Sequence, residues 1–383
     1  VPASSRDLRL DFFRGLALIF IFIDHIPENL LGYFTIQAVQ LFDAAEVFIF
    51  ISGYTAALVY GRILATQGPL YATARILGRT WQLYVAHVFL FVLFTAVVSY
   101  TVATFNNPMY NDEMGVADFL EQPHVAIVKA LLLQFQPTFL AILPLYIILL
   151  VVFPPVLLGL RLRPPLVLFL SCLLYLIVQI TNLSVPAYPE GQVWFFNPLA
   201  WQFLFILGAA LGLPHRRDWR SWQRAILPVS LIIVAAGFVI KFSWIIHGIW
   251  DPFPALMLKE LWPISKSNLS PIRLISFFAM VAIVAALVPS GATFLRSPVA
   301  RPVVLCGQQS LEIFCLGILL SALGHFVLSE YHSTISIQLA VNLAGILAMC
   351  LTASMINWYK TNSRAVMPQT VSAGSRRGSR IGE

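Results

Sequence analysis

The residues best equipped for chemistry lie near the start of the chain. Residues 11–54, DFFRGLALIFIFIDHIPENLLGYFTIQAVQLFDAAEVFIFISGY, hold two long apolar runs. The first carries Arg14, Asp24 and His25, and the second opens on Asp43 and Glu46. A charged side chain inside hydrocarbon costs about 2.5–3.5 kcal/mol on insertion scales, so such groups persist where they pair or line a wet cavity. Histidine takes and gives a proton near neutrality, with an ordinary pKa of about 6.5. A carboxylate beside it orients the ring and stabilises its protonated form.

Spacing says which of these groups can meet. Arg14 and His25 are eleven residues apart, which at about 100° per residue is three turns plus roughly 20°. They share one helix face, about 16 Å apart. His25 and Glu46 enter their runs from the same side by similar numbers of residues, so they can lie at matching depth, with Asp43 a turn further out. Neighbours on a helix point about 100° apart, so Asp24 cannot easily bond His25. Glu46 is the expected direct partner of His25, and Asp24 an outer group. Arg14 would fix an anionic donor at the inner mouth; alternatively it snorkels inward from a purely structural ion pair.

Other groups add to this picture. Arg75 and Arg79 are expected at the same inner mouth as Arg14, and arginine suits phosphate because its planar fork donates paired hydrogen bonds. Asn197, Trp201 and Gln202 stand at the outer start of a later run, where an aromatic face and amides can hold a sugar; a membrane-interface belt is the alternative for the aromatics. Glu312 either supports the donor channel or packs against another helix. His87 reads as a satisfied buried histidine, His325 as an interfacial residue, and Ser52-Gly53 as helix packing. The four cysteines show no metal-ligand spacing and imply neither a metal nor a disulfide.

These residues need a membrane scaffold. The 383-residue chain is 59% hydrophobic and 11% charged, less than half the charge of a soluble domain. Ten apolar runs recur along it, near 12–31, 39–60, 81–105, 138–160, 165–182, 197–213, 225–247, 272–289, 303–328 and 335–359, against the roughly 20 residues a span requires. The expected fold is an all-α polytopic membrane protein of about ten transmembrane helices. With the N-terminus cytoplasmic, all but Lys129, Lys241, Lys259, Lys266 and Arg273 of the 24 basic residues fall inside, as the positive-inside rule asks. An even count returns the C-terminus to the cytoplasm. The net charge of +7 is then an orientation signal, and no nucleic-acid partner is expected. Residues 1–360 form one membrane domain. Residues 361–383, rich in Ser, Gly and Arg, form a basic tail expected to be disordered.

Arg14-x10-His25 followed by Glu46-VFIFISG-Tyr54 resembles the membrane acyltransferase family three superfamily. The segments RLDFFRGLALIFIFIDHIP, DAAEVFIFISGYTAALVYGR, NPLAWQFLFILGAALG and CGQQSLEIFCLGILL, taken in order, resemble its OpgC branch, whose members are succinyltransferases that modify osmoregulated periplasmic glucans. The resemblance covers nearly all of residues 6–360. It implies a ten-helix inner-membrane enzyme, an acyl-CoA donor from the cytoplasm and a glucan acceptor in the periplasm. Succinyl-CoA is then a co-substrate, with no permanently bound cofactor and no metal. By motif match, His25 takes the place of the catalytic histidine, Arg14 of the spaced arginine and Glu46 of the second-span acid. Arg79 matches the arginine of a segment in which Gln82 stands where the family has proline, and Arg75 is an equal candidate for the phosphates. In the implied reaction His25 removes a proton from a sugar hydroxyl that attacks the thioester; an acyl-histidine route is the variant. The alternatives are acetyl transfer to another cell-surface glycan, and a proton-coupled transporter or flippase. Against a transporter stands the lack of any inverted repeat in the sequence.

Overall fold

A computed structural model describes residues 7–213, 219–245, 264–331 and 333–366. The helices that build the scaffold are α1 (Leu8–Asp24), α2 (Ala44–Gln67), α3 (Pro69–Phe105), α4 (Ile142–Leu162), α5 (Pro164–Thr181), α6 (Pro198–Gly212), α7 (Trp219–Ile245), α8 (Pro271–Leu287), α9 (Ala300–Gln308), α10 (Ser310–Glu330) and α11 (Ile335–Val366). Their starts are written in the sequence. Proline occupies the first turn of α3, α5, α6 and α8, where its missing N–H costs nothing. Asp7 and Asn197 accept from backbone N–H groups at the heads of α1 and α6, and Asp43 with Glu46 forms a reciprocal capping box at the head of α2.

The fold is all-helical among the described residues, with only isolated β-bridges such as Phe135 to Tyr188. Among the described residues seven helices are long and apolar enough to cross a membrane: α2, α3, α4, α5, α10 and stretches of α7 and α11. The other apolar runs yield shorter helices. Runs 12–31, 197–213 and 272–289 become α1, α6 and α8, of 17, 15 and 17 residues, below the roughly 20 a full span needs. α1 ends early, at the loop that begins with His25. The run 303–328 breaks at Gln309, between α9 and α10. Residues 361–366, assigned to the tail from sequence, continue α11, and residues 367–383 lie outside the described residues.

Small residues set the closest crossings. A Cβ at Gly53 of α2 would collide with the Phe205 carbonyl of α6, and Cβ atoms at Gly208 and Gly212 would collide with the carbonyls of Phe50 and Tyr54. Gly15 of α1 and Gly307 of α9 meet in the same way, against the carbonyls of Val303 and Asp11. Without a hydrophobic drive inside lipid, such backbone-to-backbone contact is what holds helices together. The two pairs lock α6 onto α2 and α9 onto α1, and so fix the two helices that carry the ionisable groups. Ser52-Gly53 thus packs as its residue types suggest.

Candidate functional site

The C-terminal end of α1 and the N-terminal end of α2 lie at one end of the bundle, beside a cavity of about 420 Å³. His25, Asp24 and Asp43 line it, with Phe139 and Phe195 among the apolar walls. His25 is the C-cap of α1, and its own backbone N–H bonds the Ile21 carbonyl at 3.2 Å, so the imidazole lies within reach of the second lone pair of the same oxygen. Its Nδ1 bonds the Ile21 carbonyl oxygen, one turn back. A carbonyl only accepts, so Nδ1 carries the proton and Nε2 keeps its lone pair. Phe139 packs edge-on against the ring, centroids 4.5 Å apart. Orientation and tautomer of the imidazole are therefore set by backbone and packing.

That arrangement corrects the expected His25–Glu46 contact. Glu46 is fully buried. One oxygen accepts from the Asp43 backbone N–H at 3.0 Å and the other from Arg273 Nε at 2.6 Å. The third residue of α2 is committed to its own helix cap, and a cation from α8 takes the rest of its charge. Arg273 also donates to Asp43 Oδ2 at 3.0 Å, and Lys266 Nζ reaches the same oxygen at 2.7 Å. Two carboxylates and two cations thus balance beside the cavity, with Asp43 and Lys266 on its wall. A buried charge is tolerable only when paired and hydrogen-bonded, and the acids of α2 obtain both partners from residues about 230 positions away.

Asp24 lines the cavity without touching His25. Its Oδ1 is buried and has no hydrogen-bond partner. Gln136 lines the same cavity, and its Oε1 is likewise buried and unpartnered, while its Nε2 donates to the Leu133 carbonyl. Buried acceptors are rarely left without donors in a folded protein. A ligand that brings hydroxyl donors into this space would satisfy both.

Arg14 lies seven residues into α1, away from the cavity. Its guanidinium donates to Thr55 Oγ1 at 2.6 Å and to the Ile51 carbonyl at 3.2 Å, so it ties α1 to the middle of α2. Arg75 is exposed. Arg79 donates to Gln82 at 3.2 Å. Neither lines the His25 cavity.

Asn197, Trp201 and Gln202 take a different place from the sugar platform expected of them. Trp201 is fully buried, with no face open to a ligand. Its Nε1 donates to the carbonyls of Lys266 and Ser267, both at 3.1 Å. Asn197, also fully buried, donates to Asn268 Oδ1 and to the Leu183 carbonyl. Gln202 exchanges hydrogen bonds with Ser171 of α5. With Tyr175 donating to the Leu269 carbonyl and Gln179 to that of Asn268, Trp201 and Asn197 clamp the loop before α8. The aromatics that this segment gives the cavity are instead Phe195 and Phe196, two and one positions before Asn197.

Three further groups differ from expectation or resolve an alternative. His87 is buried with neither ring nitrogen partnered, so it is not the satisfied histidine its position suggested. His325 Nε2 meets Glu113 at 3.0 Å, beside the bond from Tyr110 to Glu330 at 2.5 Å. Burial, with Glu330 adding to it, pushes the Tyr110 hydroxyl up to about 12. Glu312 pairs with Lys360 of α11 at 3.2 Å, an ion pair between half-exposed side chains of two helices. Among the described residues no group of histidine, cysteine and acidic side chains is placed to hold a metal ion.

The family model described as OpgC protein matches residues 6–361, and the chain belongs to that family. No curated protein and no solved structure matches it.

Proposed function

We propose that this member of the OpgC family is a multi-pass inner-membrane O-acyltransferase, of the membrane acyltransferase family three type, that moves a succinyl group from cytoplasmic succinyl-CoA to hydroxyls of periplasmic glucans. The observation that carries the reading is the His25 tautomer. The Ile21 carbonyl holds the proton on Nδ1, which leaves Nε2 as a base in a cavity with two unpartnered oxygen acceptors.

The chemistry follows from that geometry. A sugar hydroxyl gives its proton to His25 Nε2 as its oxygen attacks the thioester carbonyl. The carbon–sulfur bond then breaks, the imidazolium returns the proton to the departing CoA thiolate, and an ester and a free thiol remain. The Ile21 carbonyl bonds the imidazolium as well as the imidazole, so no rearrangement is needed between steps. Asp24 Oδ1 and Gln136 Oε1 accept from neighbouring hydroxyls of the sugar. Phe195, half exposed at the cavity, offers a face for a pyranose ring. Arg14, Arg75 and Arg79 supply positive charge for the CoA phosphates at the other end of α1 and α3.

The test uses purified protein in nanodiscs, with no ion gradient. Succinyl-CoA and periplasmic glucan together should release thiol, and the glucan should gain the mass of a succinyl group. The mass of an acetyl group, formed from acetyl-CoA in preference, would move the assignment to acetyl transfer. No thiol release under any of these conditions would refute the transferase and leave a carrier.

A further inference from the structure

Lys266 is the one lysine or arginine among the described residues that line the His25 cavity. We propose that its ammonium holds the terminal carboxylate of the acyl group, which makes Lys266 the residue that selects a dicarboxylic monothioester over a neutral acyl donor. The inference rests on reading the His25 cavity as the transfer site.

Three features of Lys266 suit it to that task. First, its backbone is held rigidly. Trp201 and Asn197 of the α6 head, with Tyr175 and Gln179 of α5, bond the loop carrying it at five points. A fixed backbone sets the ammonium at the cavity in advance, so no loop ordering is left to oppose binding. Second, its charge is available. One bond, to Asp43 Oδ2 at 2.7 Å, occupies Nζ, which has three donors. It can therefore keep Asp43, which also holds Arg273 at 3.0 Å, and still donate to an entering anion. Arg273 does not line the cavity, and among the described residues it is the cation that bonds Glu46. Third, Phe195 and Phe196 lie 5.8 and 5.6 Å from Nζ. Their rings hold the ammonium over apolar walls, where a charge-assisted hydrogen bond gains strength.

The electrostatics make the selection sharp. The other acid–base side chains of the cavity wall, besides His25, are the acids Asp24 and Asp43, neither of which attracts an anionic acyl chain. A donor with a free carboxylate enters only where a cation answers it, and a neutral chain of equal length needs no such answer.

The experiment compares succinyl-CoA with butyryl-CoA, which has four acyl carbons and no carboxylate, on the full chain in nanodiscs. Binding is measured by calorimetry without acceptor, so the readout does not depend on transfer. The wild-type protein should bind succinyl-CoA more tightly by about ten- to hundredfold, the worth of one charged hydrogen bond. Lys266→Met should abolish that gap while leaving butyryl-CoA binding unchanged, and Lys266→Arg should preserve it. A wild type without the gap, a Lys266→Met variant that keeps it, or equal weakening of both donors would overturn the assignment. Lys266→Arg guards against misfolding as the cause. If the gap behaves as stated but no glucan is acylated, the transfer reading fails and the carboxylate site stands.

Discussion

His25 Nδ1 and the Ile21 carbonyl oxygen are bonded across the last turn of α1. The helix end, which would otherwise leave that carbonyl without a side-chain donor, supplies the orienter that acyl-transfer histidines elsewhere take from a carboxylate. Glu46 is thereby freed for the charge cluster with Arg273, and the first prediction follows from that division. Arg273→Met leaves Glu46 buried with no counter-charge. Removing one partner of a buried pair costs about 3–5 kcal/mol, so thermal unfolding in detergent should move down sharply. The double variant Arg273→Met, Glu46→Gln should recover much of the loss. A single variant as stable as the wild type would remove the cluster from the account.

Trp201 separates a clamp from a sugar platform. Trp201→Phe loses the donor to Lys266 and Ser267, worth about 1 kcal/mol of stability, and leaves a small void where the second indole ring was buried. Because the loop it holds carries Lys266, KM for succinyl-CoA should rise and KM for glucan should stay. Movement of the glucan KM alone would restore the stacking role.

How far the site is legible in the sequence depends on sequence distance. Spacing alone places His25, Asp24, Asp43 and Glu46 at one end of two helices, and the structure sets His25, Asp24 and Asp43 around one cavity, with Glu46 one turn behind. Periodicity also finds the apolar runs, though three of them give helices too short to meet the length of a span. What spacing cannot show is which partner wins. Arg273 and Lys266 stand about 230 residues from Asp43, and topology marks them only as basic groups near outer ends. The signal that was present is the acids themselves: two buried carboxylates in apolar sequence demand two cations. Asn197, Trp201 and Gln202 stood out in the NPLAWQ segment because a fixed clamp needs specific donors as much as a binding site does, and composition does not distinguish the two.

The α2–α6 crossing should tolerate no side chain. Gly53→Val places methyl groups on the Phe205 carbonyl, and overpacking of this kind costs about 1–3 kcal/mol or more. The yield of folded protein by size-exclusion chromatography should fall steeply. Gly291→Ala, where a Cβ would meet nothing within 4 Å, is the control and should be neutral.

The Tyr110–Glu330 bond gives an alkaline signature. The hydroxyl titrates at about 12 in the fold against an ordinary value of about 10. The folded state therefore holds the proton more tightly, and the stabilisation is complete below pH 10 and lost as pH rises through about 12. Tyr110→Phe should flatten the decline in melting temperature over that window and leave the profile below it parallel to wild type. An unchanged alkaline slope would contradict the contact.

The central claim is that His25 Nε2 is the base, and the most direct measurement is thiol release from succinyl-CoA in the presence of glucan by His25→Ala. The account predicts a fall of about 10²–10⁴-fold in kcat, with succinyl-CoA binding and melting temperature close to wild type. Full activity in that variant would contradict it.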